Sequence, residues 1–271
     1  MHQDFWETVL TFCNTTTTQV GAKLIQDFGQ VQATEKADGS LVTRADQWAD
    51  EALRDAIAHA FPYHGVLSEE TTHVFPDTDW CWIIDPIDGT TNFTRGIPLW
   101  GISLGLLYQG TPVFGYVAVP PINSQFFGFW FGDSGLSGPT GAFQNGKAIA
   151  PSTAPPSSNQ LFNLCARSIS VLKHDAFPCK IRMLGIATYN LLTVASGIAL
   201  GGVEATPKIW DIAAVWAIAQ AAGATWHSLS PDPIFPLIPG KNYGQVAYPT
   251  LILAQETLLP TFLPLVQHLG K

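Results

Sequence analysis

Charge is the property that this sequence has least of. Charged residues make up 13% of its 271 residues, whereas an ordinary soluble domain has about a quarter. The formal net charge is −8, and no run of basic residues occurs. Because nucleic acids and anionic membranes are bound by clustered lysine and arginine, both are disfavoured as partners. A surface so poor in charge favours coverage by a second subunit, and we expect a homodimer.

Cysteine pairs and zinc-binding spacings are also missing. The four cysteines are Cys13, Cys81, Cys165 and Cys179. None belongs to a C-x-x-C pair, and the seven histidines are scattered without zinc spacing. With no secretory signal ahead of them, the cysteines are expected to be reduced, which favours a cytoplasmic protein.

Long uninterrupted apolar runs are absent too. Residues 96–132 and 183–203 carry no charge, but the first stretch contains turn signals and the second contains polar side chains and glycines. We therefore predict strands in the first stretch and a buried helix followed by a strand in the second, rather than membrane spans.

Hydrophobic periodicity predicts helices and an antiparallel meander in the first half. One helix covers residues 5–28, and Thr43 and Asp46 form a capping box that opens a second helix. The strands of the meander are 99–107, 113–119 and 125–130. Asn145 and Gly146 then predict a tight hairpin.

The second half alternates strands and helices. Its predicted strands are 161–166, 182–184, 203–205 and 249–254, and its predicted helices are 171–177, 187–200, 210–222 and 260–269. A stretch rich in proline and serine, residues 151–158, separates the halves. We therefore predict an α+β domain over residues 1–150 and an α/β domain over residues 151–271.

The stretch 81–93 places two aspartates close together behind a short apolar run. Residues 81–84 are predicted to form a buried strand that Pro86 ends, so Asp85 falls at the carboxyl end, where open sheets gather ligands. Gly89 permits a tight turn before a short helix whose free N–H groups suit phosphate. Asp85 and Asp88 repel each other unless one is protonated or a cation lies between them, and carboxylate oxygens suit Mg²⁺. An Asx-type turn is the structural alternative for either aspartate alone.

This stretch resembles the signature of the inositol monophosphatase family of Mg²⁺-dependent phosphomonoesterases, D-P-[IL]-D-G-T-x-N-[FY], and matches it throughout. Two further motifs of the family are present in the same order. They are the pair Glu69-Glu70 after Leu67-Ser68, and the sequence Trp210-Asp211-Ile212-Ala213-Ala214. With Lys36 and residues 41–46, the resemblance extends from about residue 36 to residue 224.

The resemblance implies a fold and a reaction. The fold would be a layered α-β-α-β-α sandwich, and the enzyme would hydrolyse a phosphate monoester with metal-activated water and no covalent intermediate. Two or three Mg²⁺ ions are expected, and inhibition by Li⁺ is implied as well. The implied metal ligands are Glu69, Asp85, the carbonyl of Ile87, Asp88 and Asp211.

The resemblance also implies roles for other residues. Asp46 and Thr90 would hold the attacking water, Glu69 would act with them in catalysis, and Lys36 could lie near a third ion. The residues implied to contact substrate are Asp88, Gly89, Thr90, Thr91, Gly185, Ala187, Glu204 and Asp211.

Three of these acids have simpler structural interpretations. Asp46 is equally consistent with a helix cap, and Asp211 with an acid that stabilises the start of a helix. Glu204, which matches a residue that binds sugar hydroxyls in inositol-specific members, could be an exposed strand residue.

Two other motifs occur without the context that they need. Gly101-Ile102-Ser103-Leu104-Gly105 satisfies G-x-S-x-G, but a strand rather than a helix is predicted after the serine. Residues 141–147 satisfy G-x-x-x-x-G-K, but Ala148 replaces the hydroxyl that binds magnesium, and no helix follows.

The substrate stays open at this point. Inositol 1-phosphate is the first expectation, and histidinol phosphate, fructose 1,6-bisphosphate and a 3′-phosphonucleotide are alternatives on the same fold. A different class, an inactive metal-binding regulatory protein, is disfavoured because clustered acids destabilise a fold unless a cation is bound.

Overall fold

The computed structural model describes residues 3–36, 39–173 and 177–270. The α-helices are α1 (Gln3–Asp27), α2 (Arg44–Ala60), α3 (Thr90–Thr94), α4 (Ala187–Ala195), α5 (Ile209–Ala222) and α6 (Leu259–Val266). The first strands are β1 (Thr34–Glu35), β2 (Leu41–Val42), β3 (Gly65–Ser68), β4 (Trp80–Asp88), β5 (Gly101–Tyr108), β6 (Thr111–Val119) and β7 (Ser124–Phe129). The remaining strands are β8 (Gly141–Gln144), β9 (Lys147–Ala148), β10 (Leu161–Leu164), β11 (Lys180–Arg182), β12 (Gly201–Glu204), β13 (Thr225–Ser228) and β14 (Thr250–Leu253).

The larger sheet has seven strands in the order β3-β4-β5-β6-β7-β8-β9. Its first pair is parallel and the others are antiparallel, so the predicted meander and the Asn145-Gly146 hairpin are confirmed. Alternation along the strands sends one set of side chains, such as Trp82 and Ile84, toward a core shared with α1 and α2. The other set, such as Cys81 and Ile83, faces a core shared with α4 and α5.

The smaller sheet has five strands in the order β11-β10-β12-β14-β13. Helix α4 contacts β10, β12 and β14, and α6 contacts β14, so the layers run helix, sheet, helix, sheet, helix. This layered α-β-α-β-α sandwich is the fold that the resemblance implied. The division into domains 1–150 and 151–271 stays a prediction.

Helix α5 packs closely on the larger sheet because glycines line its path. A Cβ on Gly115 would lie 2.0 Å from the Ala214 carbonyl oxygen, and one on Gly105 would lie 2.9 Å from the Ala214 amide nitrogen. Ser103 is buried within β5, so the G-x-S-x-G sequence is a strand with small residues, as predicted.

Some element boundaries differ from the predicted ones. Strand β4 does not end at Pro86 but continues to Asp88, with a register shift between Asp85 and Asp88 that lets the proline sit outside the regular hydrogen-bond ladder. Strand β12 begins at Gly201 rather than at residue 203. Gly201 lies against the Phe162 ring, where a Cβ would be 2.4 Å from a ring atom, so this strand position requires a glycine. Strand β13 was not predicted.

Other predicted boundaries agree more closely. The Thr43–Asp46 capping box opens α2, and Gly223, with φ of 85°, closes α5. The predicted helix 171–177 lies partly outside the described residues. Its described part, residues 171–173, belongs to a 3₁₀-helix, Ala166–Lys173.

The four cysteines are free. Among the described helices, none has both the length and the apolar character that crossing a membrane requires.

Candidate active site

Three aspartates from two elements converge at one end of the larger sheet. Asp85 and Asp88 lie on β4 and are buried, and Asp211 lies in the first turn of α5. One carboxylate oxygen from each lies within 4.8 Å of those from the other two. The side chains face a cleft of ≈ 570 Å³. Residues far apart in the sequence therefore form one acidic cluster.

Backbone amides at two helix starts hold two of these carboxylates. Asp88 accepts hydrogen bonds from the amides of Ala187 (3.2 Å) and Thr188 (2.7 Å) at the start of α4. Asp211 accepts from the amide of Lys208 (2.6 Å), just before α5. Helix N-termini favour negative charge, so both helices orient the acids toward the cleft.

Glu69 joins the cluster from the turn after β3. Its side chain lines the same cleft as Asp85, and its charge raises the pKa of Asp85. Its amide donates to the Ile84 carbonyl (3.2 Å), and its own carbonyl lies 2.7 Å from the His73 ring. The structure thus brings together the four acids that were predicted to bind metal, and their binding of metal stays a prediction.

Burial makes the negative charge of this cluster costly. It raises the pKa of Asp85 and of Asp211 well above the ordinary range, and it raises the pKa of Asp88. Burial also raises the pKa of Glu69 to about 7. Repulsion among the acids adds to the shifts of Asp85 and Asp211. A bound cation would stabilise the ionised carboxylates, so the site fits a metal better than it fits four free charges.

Thr90 and Asp46 form a hydroxyl–carboxylate pair beside the cluster. The Thr90 hydroxyl contacts both Asp46 Oδ1 (3.3 Å) and the Ile87 carbonyl (3.1 Å). The other oxygen of Asp46 accepts from the amide (2.7 Å) and hydroxyl (2.6 Å) of Thr43. Asp46 is therefore a helix cap and a partner of Thr90 at the same time, and its part in catalysis stays a prediction.

Lys36 is paired with acids rather than free beside a third metal position. Its Nζ lies 2.9 Å from Glu69 and 2.7 Å from Glu70. Burial opposes its charge, but the attraction and the hydrogen bonds of Glu69 and Glu70 together outweigh that cost, and the pKa of Lys36 is raised. In this structure Lys36 neutralises the glutamate pair.

The predicted substrate contacts divide into two groups. Gly89 and Thr90 line the cleft, with Gly89 at φ of 89° where its backbone turns into α3. Thr91 is exposed, and Gly185 packs against Asn92, where a Cβ would lie 2.8 Å from the side-chain oxygen. The amide of Ala187 is already bonded to Asp88.

Glu204 differs most from its expected environment. It is neither an exposed strand residue nor among the residues that line the cleft, because it is 6% exposed and its Oε1 accepts from the Asn190 side chain at 2.7 Å. Burial raises the pKa of Glu204 to about 7. A carboxylate has further acceptor sites, so it is the burial of Glu204, and not this one hydrogen bond, that opposes its predicted contact with a sugar hydroxyl.

A buried network behind Glu69 was not predicted. Asp50 of α2 hydrogen bonds to the Ser68 hydroxyl, the Thr71 hydroxyl (3.1 Å) and Arg54 (2.8 Å). Ser68 and Thr71 flank the turn that carries Glu69, so Asp50 holds that turn in place. Asp50 falls on the buried stripe of α2, and that position is the only signal of its role in the sequence.

Three further residues that line the cleft were not predicted from the sequence. The ring of His73 stacks on that of Trp210, with centroids 5.4 Å apart. Arg167 and Lys208 line the cleft as well. All three stand alone in polar or mixed segments, where the sequence gives no sign that they share a cleft with the acids.

Comparison with known proteins agrees with this geometry. The model of the Inositol monophosphatase family matches residues 6–262. A "Fructose-1,6-bisphosphatase/inositol-1-monophosphatase" from Thermotoga maritima is 32% identical over 216 residues, which cover 76% of this chain and 78% of the relative. A "Histidinol-phosphatase" from Mycobacterium tuberculosis is 30% identical over 206 residues, covering 72% and 76%.

The same relationship is seen in the fold. The solved structure of a Thermotoga maritima IMPase superposes with a TM-score of 0.78 at 27% identity, and the match covers 96% of this chain and 97% of that one. The family is metal-dependent, and the acid cluster of this chain supplies the oxygen ligands that a hard divalent cation prefers. The chain belongs to the inositol monophosphatase family and is a phosphatase of the phosphoric monoester hydrolase class.

Proposed function

We propose that the protein is a Mg²⁺-dependent phosphomonoesterase that acts on a small polyol or sugar phosphate. The observation that carries the proposal is the convergence of Asp85, Asp88 and Asp211 in a cleft beside the Thr90–Asp46 pair. Carboxylate oxygens suit Mg²⁺, and the cleft lies within the size range of small-molecule sites. Glu69 and the Ile87 carbonyl would complete the ligand set.

The residues of the site would have different roles in hydrolysis. Bound Mg²⁺ would lower the pKa of water and offset the charge of the phosphate. Thr90 and Asp46 would orient the attacking water through the hydroxyl–carboxylate contact already present. The amides of Gly89 and Thr90, at the turn into α3, would hold phosphate oxygens. No side chain is required to form a covalent bond to phosphorus.

Inositol 1-phosphate is the first substrate to test, because it accords with the family and with the name of the Thermotoga relative. The panel should include histidinol phosphate, fructose 1,6-bisphosphate and a 3′-phosphonucleotide, each with and without Mg²⁺, with release of inorganic phosphate as the readout. We expect Mg²⁺-dependent release from at least one. Release from none of them would favour an inactive metal-binding regulatory protein.

Three further properties belong to the proposal. A homodimer accords with the low charge of the chain, a cytoplasmic location with its free cysteines, and Li⁺ inhibition with the family resemblance. Analytical ultracentrifugation tests the first of these, and a monomer at working concentration would contradict it.

A further inference from the structure

His73 contacts the two segments that carry Glu69 and Asp211. It follows the turn after β3, and its Nε2 lies 2.7 Å from the Glu69 carbonyl oxygen. A carbonyl oxygen only accepts, so Nε2 carries the proton of this hydrogen bond. The ring also stacks on that of Trp210, with centroids 5.4 Å apart and planes inclined by 27°. Trp210 directly precedes Asp211 in the first turn of α5, so one imidazole joins two acids that are far apart in the sequence.

A segment between β13 and β14, residues 240–244, packs around His73. The Tyr243 amide donates to the His73 carbonyl at 2.9 Å, and the residues beside these two form an antiparallel bridge. Gly244 then lies directly against the imidazole, where a Cβ would be 2.7 Å from Nδ1 and 2.9 Å from Cγ. A side chain at position 244 would therefore displace the ring from its place.

Segment 240–244 is also tied to the start of α5. Nζ of Lys208 donates to the Gly244 carbonyl at 3.2 Å, and the Lys208 amide donates to the Asp211 carboxylate at 2.6 Å. A chain of contacts thus leads from Glu69 to Asp211 through this segment as well as through the ring stack. Two routes therefore meet at His73.

The ring nitrogens of His73 are both engaged by the protein. Nε2 is hydrogen-bonded to the Glu69 carbonyl, and Nδ1 is packed against Gly244. The half-buried ring lines the cleft, but its contacts hold other parts of the protein rather than present a nitrogen to a ligand. Groups that orient metal ligands in this way commonly change metal affinity by about 10–100-fold.

We propose that His73 is a positioning residue that sets the separation of Glu69 and Asp211, and that segment 240–244 holds His73 in place. The proposal rests on the proposed function, in which both acids bind the metal. It assigns His73 an effect on metal affinity, exerted through the Glu69 carbonyl and the Trp210 ring.

The first test measures binding of Mn²⁺ to the metal-free protein by calorimetry, without substrate. His73→Ala should raise the Kd for Mn²⁺ by about tenfold or more. His73→Gln, whose side-chain amide offers a donor to the Glu69 carbonyl, should recover part of the affinity, whereas His73→Leu, which only fills space, should not. His59→Ala, at an exposed histidine of α2 outside the cleft, is the matched control and should bind Mn²⁺ like the unmodified protein.

Two results of this titration would overturn the proposal. One is an unchanged Kd in His73→Ala. The other is recovery by His73→Leu but not by His73→Gln, which would reduce the role of the side chain to packing.

A double-mutant cycle tests the part played by segment 240–244. Gly244→Ala alone should raise the Kd for Mn²⁺ by a factor similar to that of His73→Ala, because the added Cβ meets the ring. In the His73→Ala background it should add little, since Nδ1 and Cγ of the ring are gone. Independent effects of the two substitutions would show that the segment does not act through His73.

Hydrogen exchange without metal separates failure of this proposal from failure of the proposed function. The reporters are the Glu69 amide, which donates to the Ile84 carbonyl, and the Asp211 amide, which donates to the Lys208 carbonyl. His73→Ala should speed exchange in both peptides by about fivefold or more, as the loss of one hydrogen bond predicts.

If the unmodified protein binds no Mn²⁺ but both peptides respond, the bridge through His73 stands and the proposed metal site falls. If the peptide of Asp211 does not respond, the bridge is wrong whatever the metal binding. Thermal unfolding of each variant shows that the fold is retained.

Discussion

The acids and the cations that line the cleft are held in different ways. Among the acids proposed to serve the metal, here called the metal side, Asp88 and Asp211 are held by backbone amides at helix starts, and Asp46 is held by its own capping box. Arg167 and Lys208 instead reach the cleft on long side chains, which donate to the Thr206 hydroxyl and the Gly244 carbonyl respectively. Carboxylates fixed by the backbone suit a reaction that needs exact charge placement. Long cations on connecting segments suit specificity, which can change without disturbing the fold.

The largest expected effect comes from removing a charge on the metal side. Asp88→Asn should lower kcat by at least about a thousandfold, because the neutral amide is a poor ligand for Mg²⁺. The fold should persist, since the asparagine oxygen can still accept from one of the two α4 amides that bond to Asp88. Steady-state kinetics and circular dichroism measure both results. Asp133→Asn, at an exposed acid outside the cleft, is the control, and near-normal turnover of Asp88→Asn would remove the metal assignment.

Next in size is the loss of the water-orienting hydroxyl. Thr90→Ala should lower kcat by about a hundredfold or more, with little change in the Mg²⁺ concentration needed for half activity. Thr90→Ser keeps the hydroxyl that contacts Asp46 and should recover most of the rate. Equal rates for the alanine and serine variants would show that the hydroxyl has no part in catalysis.

A smaller effect is expected from the support behind Glu69. Asp50→Asn should raise the Mg²⁺ concentration for half activity by about tenfold, because the turn that presents Glu69 loses its charged anchor. Asp55→Asn, at an exposed acid on the same helix, is the matched control. The role of Asp50 would be refuted by a variant with unchanged metal dependence and lower thermal stability alone.

The smallest effect concerns pH and stability without metal. Burial raises the folded-state pKa of Glu69 and of Glu204 to about 7, whereas an unfolded glutamate titrates near about 4.3. The folded protein therefore binds more protons between these values, and the stability from these groups is lost as the pH rises toward 7. We expect the metal-free Tm to fall by roughly 5 °C between pH 5 and pH 8.

Added Mg²⁺ should raise the Tm more at pH 8 than at pH 5, because the ion stabilises the ionised acids and competes with protons. Scanning calorimetry with and without chelator measures the difference. An equal rise at both values would show that the acids are already ionised in the metal-free protein.

The same contrast explains how far the sequence could predict the site. The acids of the metal side follow motifs with local causes: a strand end, a capping box and the start of a buried helix. Such causes are visible in neighbouring residues, and the structure brings Asp46, Thr90 and the acid cluster together. The extension of β4 past Pro86 was missed because a bulge depends on pairing with β5 rather than on local propensity.

The cleft cations and Glu204 could not be predicted in the same way. Arg167 and Lys208 are distant in the sequence and line one cleft because β10 and β12, the strands before them, are paired in one sheet. Glu204 has the alternation of a strand residue, but its burial depends on Asn190 of α4, a contact between elements. Contacts of this kind follow from tertiary packing, which periodicity does not encode.

The most direct test of the central claim is a crystal structure of the protein soaked with Mn²⁺ and phosphate, with the ions located by anomalous scattering. The account predicts at least one ion within about 2.2 Å of carboxylate oxygens from Asp85 and a second acid of the cluster. The phosphate should lie against the amides of Gly89 and Thr90. Anomalous density that avoids Asp85, Asp88 and Asp211 would contradict the account.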